Sequence, residues 1–314
     1  RAYRRLIKMT NFRILFLGTA PFGIPTLKKI STSGHDLTGV YTSPPKKANR
    51  GMKISKSPVA LYAEDNNLNV YSPKELRSIE EIKFIKEMNL DFIIVIAYGL
   101  ILPEKILNLP KYGCYNLHAS ILPRWRGAAP IQRSMIEGDE ATGVTIMKMN
   151  KGLDTGDIVL QDKLKICISE NYTELETRLS VAGAELFDVF FKESSFQKKM
   201  QKQDNSLSCY ADKVSKQETK IDWKEDAIKI VRRINAYNPN PGAWFMWNNK
   251  RVKILKAIEV DIDAEPGKIV KEDLSIGCGN KSIRPLTLKV EGKQSCGIDE
   301  FLLGNKISVG SILE

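Results

Sequence analysis

Apolar runs alternate with helix-patterned segments through the first half of the chain, and this alternation restricts the possible folds more than any other feature. The runs "FRILFLG" (residues 12–18) and "DFIIVIAYG" (residues 91–99) are short and end in glycine, which indicates strands. The second run is apolar on both faces, as expected for a parallel strand that helices cover on both sides. The sequence therefore predicts an α/β domain with a doubly wound sheet.

The pattern changes toward the C-terminal third of the chain. Residues 196–220 are polar, rich in lysine and poor in large aliphatic side chains, as in a linker. A helical segment then precedes short apolar runs separated by Gly, Asn and Pro, which predict a smaller β-rich domain of the barrel type. We expect an α/β domain over residues 1–195, a basic linker over residues 196–220 and a β-barrel domain over residues 221–314.

The composition describes a basic globular protein. Its 314 residues are 42% hydrophobic, which is enough for a substantial core. A net charge of +11 attracts a polyanion such as nucleic acid or, less specifically, an acidic membrane surface, although a basic protein without such a partner fits equally well. The longest apolar run, residues 92–102, is shorter than the roughly 20 residues of a membrane helix, so we expect a soluble protein without a membrane partner.

The cysteines and the first ten residues indicate in which cellular compartment the protein is expected. The five cysteines are widely spread and never form a C-x-x-C pair, so neither disulfides nor a zinc site is indicated, and no metal is expected. Residues 1–10 are basic and lack the apolar core of a secretory signal. We interpret them as an extension before a start at Met9 and expect a cytoplasmic protein, with a transit peptide and an organelle matrix as the alternative.

Two polar segments follow predicted strands, and they are the main candidates for a site. "YGCYNLHAS" carries Asn116 and His118 two positions apart, so both side chains lie on one face of the strand. "GVTIMKMNKGLDTGD" ends in a glycine-rich loop with Asp154 and Asp157. Ligands of open α/β sheets bind outside the carboxyl ends of the strands, where we expect these segments to meet. No nucleotide-binding glycine motif occurs in the sequence.

An amide, an imidazole and a carboxylate suit a reaction in which a neutral amine attacks a carbonyl. Asn116 could donate to the developing oxyanion, and an imidazole such as His118 can exchange a proton near neutral pH. An aspartate beside the ring would orient it. Each residue also has a purely structural interpretation, because a strand-end histidine can be an ordinary polar residue and loop aspartates often cap backbone amides.

The stretch "NLHASILPRWRGAAPIQ" (residues 116–132) resembles the signature of the methionyl-tRNA formyltransferases, a family of folate-dependent formyltransferases. Segments from "AYGLILP" to "AYNPNPGAW" are similar to the family in the same order along most of the chain. The resemblance implies a Rossmann-like formyltransferase domain, a basic linker and a C-terminal OB-type domain that binds tRNA. It also implies formyl transfer from 10-formyltetrahydrofolate to the α-amine of methionine on initiator tRNA. We expect a monomer.

Particular residues match the family's functional positions. The catalytic trio of the family corresponds to Asn116, His118 and Asp154. The segment that lines the folate site corresponds to Ser120, Ile121, Leu122 and Pro123. The basic insertion that reaches toward the tRNA corresponds to the loop of residues 44–57, with Lys46, Lys47, Arg50 and Lys53. The ligand of Arg124 and Arg126 stays open.

Other functions share parts of this pattern. A sugar-nucleotide N-formyltransferase would use the same folate donor and trio with an amino sugar as acceptor. A hydrolase of formyltetrahydrofolate would leave the basic C-terminal domain without a role. A catalytically inactive tRNA-binding protein would leave the trio without a role. The basic loop and the net charge favour tRNA as the acceptor.

Overall fold

The computed structural model of the chain describes residues 11–48, 53–192, 200–305 and 307–313. The chain forms two compact units, each assembled from several segments. The first contains the described residues up to Arg126 together with Gly143–Lys163 and Thr177–Cys209. The second contains Gly127–Thr142, Leu164–Glu176 and the described residues from Tyr210 onward. The boundaries predicted at residues 195 and 220 remain predictions.

The strands and helices before residue 193 alternate as the sequence predicts. The strands are β1 (Arg13–Gly18), β2 (Asp36–Tyr41), β3 (Lys46–Ala48), β4 (Lys53–Ser55), β5 (Val70–Tyr71), β6 (Phe92–Ile96), β7 (Cys114–His118), β8 (Arg126–Gly127), β9 (Ala141–Lys148) and β10 (Ile158–Lys165). The helices are α1 (Ile24–Thr32), α2 (Pro58–Asp65), α3 (Ile79–Glu87), α4 (Glu104–Leu107), α5 (Pro130–Glu137) and α6 (Tyr172–Lys192).

A seven-stranded sheet in the order β10-β9-β7-β6-β1-β2-β5 runs through the first unit. The five strands β5, β2, β1, β6 and β7 are parallel, whereas β9 is antiparallel to β7. The strand order reverses at β1, with β2 on one side and β6 on the other. Such a reversal opens a crevice at the carboxyl ends of the parallel strands, where ligands of α/β proteins bind.

The central strand β6 is covered on both faces, as its uninterrupted apolar run predicts. All five of its residues are buried. On one face Phe92 packs against Phe190 of α6, with ring centroids 5.6 Å apart. On the other face Ile93 and Val95 belong to a core that includes Ile85 of α3. The predicted α/β class is therefore confirmed for this part of the chain.

The basic segment of residues 44–57 contains a hairpin where we expected an irregular loop. Strand β3 pairs antiparallel with β4, so that Lys46 faces Ser55. Pairing satisfies the backbone N–H and C=O groups, whichever side chains the strands carry, and composition therefore does not reveal it. Lys46 is exposed. Arg50 lies outside the described residues, and Lys47 and Lys53 are described only by their backbone.

The C-terminal part is β-rich, as predicted, and is built on an antiparallel sheet. Its elements are β11 (Tyr210–Ala211), α7 (Ala227–Tyr237), β12 (Ala243–Trp247), β13 (Lys250–Val260), β14 (Ile276–Gly277), β15 (Ser282–Val290), β16 (Ser295–Gly297) and α8 (Ile298–Gly304). The sheet has the order β12-β13-β15-β14, with β16 also paired to β15, while β11 pairs with β8. Phe245, Ile254 and Leu288 form its buried face. Among the described helices, none is long and apolar enough to cross a bilayer.

Candidate active site

Asn116 and His118 lie on β7, next to β9, and share one face of the strand as predicted. Asn116 is paired with Met147 and His118 with Thr145. The intervening Leu117 is buried. Asn116 is partly exposed, and within the described residues its side-chain amide makes no hydrogen bond. Its N–H groups are therefore available to a ligand.

The imidazole of His118 is held on both sides. Its Nε2 atom lies 2.7 Å from the carbonyl oxygen of Trp125. A carbonyl only accepts hydrogen bonds, so Nε2 carries a proton and donates it. Its Nδ1 atom lies 3.6 Å from Oδ2 of Asp154, and the two side chains are only 6% and 14% exposed. The other ring nitrogen, Nδ1, therefore is the one that faces the carboxylate.

Asp154 reaches His118 by a route that the sequence did not predict. We expected both polar segments to arrive at the carboxyl ends of parallel strands. Strand β9 is instead antiparallel to β7, so Lys148 at its end pairs with Tyr115 near the start of β7. The loop of residues 149–157 must therefore fold back along the sheet to bring Asp154 to His118. Asp157 closes this loop through its carbonyl, which accepts a hydrogen bond from the Lys148 amide at 2.9 Å.

The predicted folate segment follows β7 directly, and its four side chains have different surroundings. Ser120 and Leu122 are buried, whereas Ile121 and Pro123 are partly exposed. The Ser120 hydroxyl donates to the Arg124 carbonyl at 2.6 Å. Ser120 and Leu122 thus hold the turn, and Ile121 and Pro123 are the side chains that a ligand can touch.

Two residues that sequence reasoning missed support this segment. The Thr145 hydroxyl donates to the Ser120 carbonyl at 2.6 Å and accepts from the Leu122 amide at 3.2 Å. The Gln161 side chain donates to both the Leu122 carbonyl and the Thr145 hydroxyl, each at 2.9 Å. The one available sequence signal was a pair of threonines, Thr142 and Thr145, within the largely apolar run of β9. We call Thr145 and Gln161 the Thr145 clamp.

The structure resolves the surroundings of the two arginines left open by the sequence. Arg126 is buried, with 2% of its surface exposed, and donates to Oε1 of Gln203 from Nε at 3.0 Å and from Nη2 at 2.9 Å. Arg124 is exposed, and its guanidinium lies 4.4 Å from the ring centroid of Trp125. Arg126 is therefore part of the internal framework, and only Arg124 is placed to meet a ligand.

The site offers a free amide donor, an imidazole with one fixed proton and a carboxylate. Together they can stabilise a tetrahedral oxyanion and accept a proton from an attacking amine. Within the part of the chain that the structure describes, no group of three His, Cys, Asp or Glu side chains is placed to hold a metal ion.

Two family models match the chain. The formyl transferase model covers residues 12–188, and the model of the formyl transferase C-terminal domain covers residues 213–306. The chain belongs to the formyl transferase family. It is 42% identical over 303 residues to the methionyl-tRNA formyltransferase of Pelagibacter ubique (strain HTCC1062), covering 95% of this chain and 97% of that protein. It is 41% identical over 298 residues to that of Coxiella burnetii (strain RSA 331 / Henzerling II), covering 93% and 95%. The predicted family and the prediction of an enzyme are confirmed.

Solved structures share the fold at low sequence identity. The HypX protein of Aquifex aeolicus in complex with tetrahydrofolic acid has a TM-score of 0.63 at 15% identity. The match covers 96% of this chain and about half, 51%, of HypX. The sugar 3N-formyl transferase WlaRD, solved with dTDP and 5-N-formyl-THF, has a TM-score of 0.61 at 19% identity, covering 91% of this chain and 100% of that one. These likenesses concern the fold alone.

Proposed function

We propose that the chain transfers the formyl group of 10-formyltetrahydrofolate to the α-amine of methionine esterified to initiator tRNA, as a step in translation initiation. The observation that carries this proposal is an identity of 40–42% over 93–95% of the chain to relatives named methionyl-tRNA formyltransferase. The matched length includes the C-terminal domain as well as the α/β domain. We place the activity in the cytoplasm, as in bacteria, with an organelle matrix as the alternative.

In the proposed reaction the neutral α-amine attacks the formyl carbon of the donor. A C–N bond forms, the carbonyl oxygen becomes an oxyanion, and the bond to N10 of the folate then breaks. The partly exposed Asn116 amide would donate to this oxyanion. Because the amine of an aminoacyl ester is substantially neutral near pH 7, the site needs to orient the amine more than to activate it.

The proton released by the amine would pass to the His118–Asp154 pair. The Trp125 carbonyl holds Nε2–H of His118, so Nδ1 is the atom that would take the proton. The Asp154 carboxylate at 3.6 Å would stabilise the imidazolium that results. The same proton would then be available to N10 of the departing tetrahydrofolate, which restores the starting state of the enzyme.

The folate would lie against the segment after β7. Ile121 and Pro123 are its partly exposed side chains and would form the wall of this site. The Thr145 clamp would fix the position of that wall, because it holds the backbone of Ser120 and Leu122.

The tRNA would contact basic surfaces, including a row on the C-terminal sheet. Trp244 on β12 is paired with Lys253 on β13, which is paired with Lys289 on β15. Strand alternation places these side chains on the face opposite the buried Val252 and Ile254. The basic segment of residues 44–57, with the exposed Lys46 and with Lys47, Arg50 and Lys53, would approach the acceptor end.

The electrostatics of this row fit an anionic partner. Burial, together with the positive charges of Lys289 and Arg251, lowers the pKa of Lys253. The Arg251 guanidinium lies 4.4 Å from the ring centroid of Trp244. Phosphate groups would relieve the repulsion among these cations, and this gives the row affinity for a nucleic-acid backbone.

A formyl-transfer assay with radiolabelled 10-formyltetrahydrofolate tests the proposal. The acceptors are initiator Met-tRNA, elongator Met-tRNA and a dTDP-amino sugar. We expect transfer to initiator Met-tRNA, weaker transfer to the elongator, and none to the sugar. Transfer to the amino sugar without transfer to Met-tRNA would favour the sugar-nucleotide formyltransferase. If the folded protein bound the tRNA without any formyl transfer, the proposal that it is an enzyme would be contradicted.

A further inference from the structure

Gln203 lies in the segment between the two family matches, and its side chain uses its full hydrogen-bonding capacity. Its Nε2 donates to the carbonyl oxygens of Asp154 at 2.8 Å and Gly156 at 2.7 Å. Its Oε1 accepts two hydrogen bonds from the buried Arg126. Carbonyls only accept and a guanidinium only donates, so these partners fix the orientation of the amide.

Arg126 anchors this amide from the opposite side. Besides Gln203, it donates from Nη2 to Oδ1 of Asn205 at 2.8 Å, and its own amide N–H donates to the Cys209 carbonyl at 2.9 Å. A buried guanidinium held by several acceptors has little freedom to move. Gln203 therefore stands between a rigid cation and the loop that carries Asp154.

The Asp154 loop requires such support. Asp154 has φ = 52°, in the left-handed region that non-glycine residues rarely adopt. A Cβ atom at Gly156 would lie 1.7 Å from the Lys148 carbonyl oxygen, so the loop packs tightly against the end of β9. Backbone in an unfavourable conformation persists only when its surroundings hold it, and Gln203 holds the carbonyls on both sides of Thr155.

The same contacts join the two halves of the His118–Asp154 pair. The carbonyl of Trp125 holds His118, and the next residue, Arg126, holds Gln203. Gln203 in turn holds the backbone of Asp154, whose carboxylate faces His118 at 3.6 Å. The five residues thus form a closed ring of contacts that sets the separation between the imidazole and the carboxylate.

We propose that Gln203 is a positioning residue for formyl transfer, which acts by holding the Asp154 loop at the distance from His118 that the proton transfer needs. This inference rests on the proposed function. Loss of the Gln203 side-chain amide should lower kcat and leave the KM values for folate and tRNA nearly unchanged, since Gln203 contacts the backbone of the Asp154 loop. A misplaced catalytic group can cost up to about 10²-fold in rate.

The test uses Gln203→Glu in the full chain. Glutamate keeps an acceptor for Arg126 but loses both N–H donors and sets a carboxylate oxygen against two carbonyls. We expect kcat to fall by about 10- to 100-fold with nearly constant KM. The matched control is Gln201→Glu, because the exposed Gln201 pairs with Ile158 only through its backbone and should tolerate the change. Wild-type kcat in Gln203→Glu would overturn the proposal.

A double-mutant cycle identifies the route of the effect. If Gln203 acts through Asp154, Gln203→Glu should lower kcat much less in an Asp154→Asn background than in the wild type. Equal losses in both backgrounds would overturn the proposal. The cycle compares single-turnover rates per folded protein. If Gln203→Glu does not fold, Gln203→Leu replaces it as the second variant. Absence of transfer by the wild type would contradict the proposed function, whereas an unaffected Gln203→Glu would contradict only the positioning role.

Discussion

At the scale of single residues, function depends on which atoms of a side chain are already engaged. His118 has one nitrogen hydrogen-bonded to the Trp125 carbonyl and the other beside Asp154. Asn116, two residues before it, is available to a ligand. In the proposed reaction the same strand would therefore supply an oxyanion donor and a proton acceptor with separate tasks.

His118→Ala should lower turnover by about 10²- to 10⁴-fold, because it removes the group proposed to take the amine proton. The affinity for tRNA should be unchanged, since the proposed phosphate contacts do not include His118. Single-turnover rates and filter binding measure the two quantities. The control is His35→Ala at the other histidine of the chain, whose ring packs 4.8 Å from that of Phe191 and which should affect stability but not the rate per folded protein. Full turnover in His118→Ala would refute its role.

At the scale of elements, one strand supports the segment that leaves another. Thr145 of β9 is fully buried, and its hydroxyl joins the Ser120 carbonyl, the Leu122 amide and Gln161. A buried hydroxyl with three partners fixes a loop more firmly than packing alone, because each partner would otherwise be left unsatisfied. The position of the proposed folate wall would thus depend on β9.

Thr145→Val keeps the side-chain shape and removes these hydrogen bonds. We expect a loss of about 1–3 kcal/mol in the free energy of unfolding and a raised KM for folate, with the KM for tRNA unchanged. Urea denaturation and steady-state kinetics provide the measurements. Thr142→Val on the same strand is the control, because Thr142 is buried and its hydroxyl has no hydrogen-bond partner within the described residues. Equal behaviour of the two variants would contradict the clamp.

A second contact between elements makes stability depend on pH. Arg133 of α5 donates from Nη1 to Glu218 at 2.8 Å, and Glu218 lies in a short 3₁₀ helix. Burial acts to raise the pKa of Glu218. Hydrogen bonds from Arg133 and the Ser215 amide, together with the charges of Arg133 and Arg233, outweigh burial and lower the pKa overall.

Because the folded-state pKa of Glu218 lies below its ordinary value of 4.5, this carboxylate stabilises the fold above that pH. The contribution is lost as the pH falls through the folded-state pKa. Glu218→Gln should therefore lower the free energy of unfolding at neutral pH by roughly 1–3 kcal/mol, with a difference from wild type that shrinks in acid. Denaturation across pH tests this. Glu137→Gln on the exposed side of α5 should show no such dependence.

At the scale of the whole molecule, the net charge of +11 includes cations that share a surface. Lys253 and Lys289 are cross-strand neighbours, and the positive charge of Lys289 helps to lower the pKa of Lys253. Other lysines are already neutralised, as Lys281 is by Glu259 at 2.8 Å. On the proposed function, the distribution of charge, more than its sum, would select the surface that the tRNA meets.

The double substitution Lys253→Ala/Lys289→Ala should weaken tRNA binding and reduce its salt dependence. Each lost phosphate contact lowers the slope of log K against log salt by about 0.7–0.9, so a total change of about 1.4–1.8 is expected. Binding titrations at several salt concentrations measure it. Lys281→Ala should change the slope little, and an unchanged slope in the double variant would exclude this row from the tRNA interface.

Much of the fold and part of the site follow from local sequence. The apolar run over β6 predicts a strand covered on both faces, and β6 is buried on both. Spacing alone places Asn116 and His118 on one face of β7. The hairpin of β3 and β4 was not foreseen, because backbone pairing leaves little trace in a lysine-rich composition.

The sequence by itself determined the alternation of strands and helices and the family, and it singled out Asn116, His118 and Asp154 as the proposed trio, because periodicity and motif are local properties. Only the tertiary structure decided how the trio is held. The antiparallel β9 returns the chain so that Asp154 meets His118. Gln203 contacts Asp154, which is 49 residues away in the sequence, and Arg126, which is 77 residues away. Contacts at such separations arise when the whole chain packs, so no local pattern encodes them. For the same reason the buried Arg126, which the motif left without a ligand, proves to be framework.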